Sequence, residues 1–90
     1  NTKVVDIIHH LEQYNVKVTI FDPWADPDIA RHEYGVEVLN ELPQADYDAA
    51  ILAVAHNEFR KLDIPAHLKS NHVIFDVKGF LPREIIDGRL

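Results

Sequence analysis

The stretch Ala49 to Val54 (Ala-Ala-Ile-Leu-Ala-Val) is apolar at every position and, with Ala55, fills the chain between Asp48 and His56. A strand with one wet face alternates; an unbroken run of this length fits a strand covered on both faces, the situation in parallel sheets. Parallel neighbours need crossover connections, so the rest of the chain should alternate strands and helices.

It does. Val4, Ile7, Ile8 and Leu11 fall at i, i+3, i+4 and i+7, the apolar stripe of a helix, with Thr2 or Asn1 as its N-cap and Asn15 as its left-handed stop. Val16 to Phe21 is β-branched and alternating, and it halts at Asp22-Pro23. Asp26-Pro27-Asp28 reads as N-cap, first-turn proline and acidic first turn of a short helix that ends at Gly35. Val36 to Leu39 is a short peripheral strand, and Asn57 or His56 caps a brief helix through Phe59 and Leu62. Ile64 to Leu68 is a further turn or irregular, Val73 to Phe75 is the last strand, and Asp87 to Leu90 is a frayed end. The expectation is one α/β domain over residues 1–90 with a mainly parallel sheet.

Fifteen acids against nine Lys and Arg give a net charge of −6. That balance argues against nucleic acid or an anionic membrane as partner, while leaving room for one phosphate site. The absence of cysteine removes thiol nucleophiles, thiolate metal sites and disulfides. No apolar run approaches the length of a bilayer span, and a cytoplasmic setting is expected.

Ligands of open α/β sheets bind beyond the carboxyl ends of the strands. Here those positions are Asp22, His56 and the segment Asp76 to Gly79. Lys78 reads either as a phosphate ligand or as a solvated turn lysine, and Gly79 allows close backbone approach. Asp22 reads as turn chemistry or as a ribose acceptor, the second requiring a glycine-rich loop that the chain lacks. The six histidines show no ligand spacing, so no metal site is expected, and His56 reads as a cap. Trp24 lies in a loop, either exposed or folded back.

Several local motifs then line up: Asn1-Thr2-Lys3-Val4, Val18 to Asp26 (Val-Thr-Ile-Phe-Asp-Pro-Trp-Ala-Asp), His32-Glu33-Tyr34-Gly35, Ala53 to Phe59, and Phe75-Asp76-Val77-Lys78-Gly79. Their order resembles the C-terminal nucleotide-binding domain of the UDP-glucose/GDP-mannose dehydrogenase family, nearest the branch that oxidises UDP-N-acetylhexosamines to uronic acids for surface polysaccharide. The resemblance implies a Rossmann-like three-layer fold whose first strand precedes Asn1. It also implies UDP-sugar binding, with Lys78 and Gly79 at the substrate. No catalytic residue is expected in this chain, because the cysteine and the NAD loop belong to N-terminal and central domains of a homodimeric enzyme. The strands Val16–Phe21 and Ala49–Val54 should then flank the slot of the first strand, about 9.6 Å apart, without pairing. The alternative is a stand-alone regulatory domain of the receiver type or an interaction domain. A receiver needs an acceptor aspartate at the end of its central strand, where this chain has Ala53-Val54-Ala55-His56.

Overall fold

The computed structural model describes residues 2–89, with only the backbone of Thr2. The chain forms two compact units, residues 1–43 and 44–90. The fold is α/β, and every ladder among the described residues is parallel.

In the first unit, α1 (Thr2–Gln13) leads to β1 (Ile20–Phe21), α2 (Pro27–Tyr34) and β2 (Val38–Leu39). The capping side chains expected for α1, Asn1 and Thr2, lie outside the described residues. Its end is as expected. Asn15 takes φ 62°, the Val16 N–H donates to the Leu11 carbonyl at 3.3 Å and the Asn15 N–H to that of Glu12 at 3.0 Å. This paired pattern uses the last free carbonyls of a helix. The buried stripe is rotated from the expected one: Ile8 is buried with Val4 and Val5 packed beside it, while Ile7 faces outward. Ala30 of α2 and Val36 and Val38 of the following segment complete this core.

Asp26 caps α2 by accepting from the N–H groups of Asp28 (2.9 Å) and Ile29 (3.3 Å). Pro27 occupies the first turn, and Gly35 closes the helix in the left-handed conformation. The expected strand Val16 to Phe21 shrinks to Ile20–Phe21, because only these residues find ladder partners, Val38 and Leu39. Extended backbone without a partner is not a strand.

Arg31 grips Glu37 through two parallel bonds, Nε to Oε1 at 2.9 Å and Nη2 to Oε2 at 3.0 Å. The hydrogen bond to Arg31, with its charge, holds the Glu37 carboxyl below the usual carboxylate range. A lowered folded-state pKa contributes stability above the unfolded value, and this is lost as pH falls through the folded one. Glu37→Gln should therefore be slightly less stable than the parent at neutral pH, by a margin that closes in acid. Denaturant midpoints measured across pH check this. Because the pair is exposed, the margin is small.

The second unit contains β3 (Tyr47–Leu52), two 3-10 turns (Asn57–Arg60 and Ile64–His67), β4 (Leu68–Asp76) and β5 (Gly88–Arg89). The sheet order is β3-β4-β5. β1 pairs with β2 in a separate two-stranded sheet within the first unit.

Three readings of this unit need correction. β3 is not covered on both faces. Ala50, Leu52 and Ile74 lie on one side, Leu52 and Ile74 buried, whereas Ile51 and Val73 on the other are 44% and 53% exposed. An apolar run reports that a strand can be covered, not what covers it. The last strand is longer than Val73 to Phe75: β4 begins at Leu68, which opposes Tyr47, and residues 69–72 bulge against Asp48, three residues in excess, before Val73 opposes Ala49. His72 Nδ1 donates to the Lys69 carbonyl at 2.6 Å across this bulge, and Lys69 reaches Asp48 at 3.0 Å. The tail is not frayed. Gly88 and Arg89 pair with Phe75 and Asp76, and Asp87 clips onto Ile74, whose N–H donates to its Oδ2 at 2.8 Å and whose carbonyl accepts its N–H at 2.8 Å. Leu90 lies outside the described residues.

Candidate functional site

In the second unit the register aligns three strand ends. Leu52 of β3 opposes Asp76 of β4, and Asp76 opposes Arg89 of β5. The parallel strands therefore deliver three loops to one edge: the segment after Leu52, the turn after Asp76, and the chain around Arg89.

Asp76 organises that edge. It is fully buried, and its carboxylate collects three backbone donors. Oδ1 accepts from Lys78 N–H at 3.1 Å, and Oδ2 accepts from Phe80 N–H at 2.6 Å and Leu81 N–H at 2.7 Å. These bonds wrap the chain tightly around the strand end, and Val77 N–H donates to the Leu52 carbonyl at 3.0 Å, tying the turn to β3. Gly79 sits in this turn at φ 65°, a region where other residues are strained. Lys78 and Gly79 are both exposed. Among the described residues no carboxylate pairs with the Lys78 ammonium, so a cation and an open backbone segment face solvent side by side.

Arg89 also belongs to this edge. Its guanidinium carbon lies 3.9 Å from where a Cβ on Gly79 would stand. The position of Arg89 depends on Gly88, which opposes Phe75 so closely that an added Cβ would come within 3.0 Å of the ring. Arg60 lies over the Phe80 ring at 4.1 Å from its centroid. The sequence reading missed Arg89 because β5 is only two residues long. The available signal was a glycine after Ile85-Ile86-Asp87 that leaves room for an aromatic on the neighbouring strand.

The other candidates are placed as follows. Asp22 performs turn chemistry: its Oδ1 accepts from Trp24 N–H at 2.8 Å and Ala25 N–H at 3.2 Å. Asn40 locks the same loop by donating to the carbonyls of Asp22 and Ala25. Trp24 is 70% exposed. His56 precedes the 3-10 turn but makes no side-chain cap, and neither does Asn57, which is already inside the turn; instead the His56 ring packs against Phe59, centroids 5.5 Å apart. His10 meets Tyr14 edge-on. Among the described residues no group of His, Asp or Glu is placed to hold a metal ion, and no helix is long and apolar enough to cross a membrane.

A dinucleotide cofactor needs a glycine-rich turn leading from a strand to free helix N–H groups. The described residues do not fit one. β1 is followed by the Asp22 turn, and the N–H groups at the start of α2 are taken by the Asp26 carboxylate, which repels phosphate.

Against known proteins, the chain is 42% identical over 93 aligned positions to the UDP-N-acetyl-D-glucosamine 6-dehydrogenase of Salmonella typhi. It is 43% identical over the same length to the protein of that name from Pseudomonas aeruginosa. It is 31% identical over 83 positions to Protein CapL of Staphylococcus aureus. These alignments take in 100%, 100% and 90% of this chain but only 22%, 22% and 20% of the relatives, so the chain spans about a fifth of their length. No solved structure matches it significantly. The family model described as "UDP-glucose/GDP-mannose dehydrogenase family, UDP binding domain" matches residues 1–83, and the chain belongs to that family through that domain.

Proposed function

We propose that the chain is the nucleotide-sugar-binding part of an NAD-dependent UDP-N-acetylhexosamine 6-dehydrogenase, or a UDP-hexose counterpart, and is not catalytic alone. In this reading residues 1–90 act as one domain of a longer, cytoplasmic, homodimeric protein that makes uronic acids for surface polysaccharide. Lys78 and Gly79 contact the substrate; NAD and the reacting groups belong to other domains of the same protein. The observation that carries the reading is the turn after β4: Asp76 holds an exposed Lys78 and Gly79 at the carboxyl edge of a parallel sheet. The family match across residues 1–83 and two relatives named as UDP-N-acetyl-D-glucosamine 6-dehydrogenases support the choice of ligand.

The chemistry follows from the turn. An ammonium offers a charge-assisted donor to a phosphate oxygen, and a glycine leaves the backbone bare for a phosphate or ribose to approach. Lys78→Ala should weaken UDP binding by about 1–3 kcal/mol, roughly 5- to 150-fold. Calorimetric titration with UDP, parent against variant, checks this. Equal affinities would remove Lys78 from the site.

A further inference from the structure

We infer that Arg83 and Arg89 form a second anion-binding wall that takes the phosphates of the same nucleotide ligand. This proposal rests on the nucleotide-binding reading above and adds to it the residues that would hold the diphosphate.

Four observations lead there. Arg83, Ile86, Asp87, Gly88 and Arg89 line an open cleft of about 310 Å³. Its Arg89 guanidinium lies against Gly79, so the cleft adjoins the Lys78–Gly79 turn. Both arginines are exposed, and among the described residues neither forms an ion pair, whereas Arg31 and Lys69 are each met by carboxylates. The lining includes one acid, Asp87, and its Oδ2 is engaged by the Ile74 N–H. Two guanidinium groups against one carboxylate leave the lining positive in a chain whose net charge is −6.

Guanidinium groups suit this role because their planar forks match phosphate oxygens in pairs. Asp87 and Gly88 acquire a purpose in this arrangement. The clip between Asp87 and Ile74 and the close seat of Gly88 on Phe75 hold the Arg89 backbone at the strand edge, so the wall does not have to be ordered when the anion arrives.

The test is calorimetric titration of the 90-residue chain with inorganic pyrophosphate, UDP and uridine, using the parent, Arg83→Gln, Arg89→Gln, Arg89→Lys and Lys78→Gln. Each arginine-to-glutamine change should weaken both pyrophosphate and UDP by about 10-fold, with Arg89→Lys recovering part of the loss and uridine unaffected. Unchanged circular dichroism would show that the variants keep the fold. If UDP binding depends on Lys78 but not on either arginine, the wall is overturned and the nucleotide reading survives. If both anions depend on the arginines but UDP binds no tighter than pyrophosphate, the wall stands and the nucleotide reading fails. A parent chain that does not bind pyrophosphate at millimolar concentration overturns the wall outright.

Discussion

Asp76→Ala is expected to lower stability by about 3–5 kcal/mol, since three backbone donors lose a charged acceptor at one stroke. The donors of Phe80 and Leu81 suffer most, because they point at a fully buried carboxylate and no water replaces it without opening the turn. Asp76→Asn keeps the shape and one acceptor oxygen but turns a nitrogen toward former donors, so its loss should be intermediate. Denaturant midpoints give the totals, and amide hydrogen exchange at Phe80 and Leu81 shows whether the damage is at the turn. Exchange unchanged in the alanine variant would mean that Asp76 does not hold this segment. The same variant should weaken any ligand of Lys78, because the ammonium then hangs from an unanchored loop.

Ile74→Ala should cost about 2–5 kcal/mol, the range for truncating a fully buried aliphatic side chain. Ile74 has no exposed surface, and its backbone is bonded to Asp87 in both directions, so only packing is lost in the substitution. Ile74→Val should cost about 0.5–1.5 kcal/mol. Val73→Ala, one residue away on the opposite face and 53% exposed, should stay within about 0.5 kcal/mol. Thermal or denaturant unfolding of the three variants checks this order. A comparable loss at Val73 would show that the open face of β3 and β4 is in fact covered in solution.

The parts legible in the sequence are those with a local cause. Asn15, Asp26, Pro27 and Gly35 act through their own backbone preferences and side-chain reach, and each does what its residue type implies. The turn at Asp22 is of the same kind, and its Asn40 brace was out of view only because it comes from 18 positions away. Pairing has no local cause. Val16 to Thr19 carry strand propensity without ladder partners, whereas Gly88 and Arg89 carry little and pair nonetheless. Burial also depends on distant partners, which is why Ile7 and Ile51 are exposed although their patterns point inward. Lys78 and Gly79 could be picked out because they follow a strand. Asp76 could be placed at the site but not given its task, since its three donors are known only once the chain turns. Arg83 and Arg89 needed β5, and a two-residue strand leaves almost no mark on a sequence.

Amide shift mapping of the ¹⁵N-labelled chain during titration with UDP tests the central claim most directly. Saturable changes are expected at Lys78 and Gly79 and their neighbours on the β4–β5 edge, with the Asp22 turn and the start of α2 unmoved. Changes centred on Trp24 to Ile29, or no saturable change at any UDP concentration, would contradict a nucleotide site at the Asp76 turn.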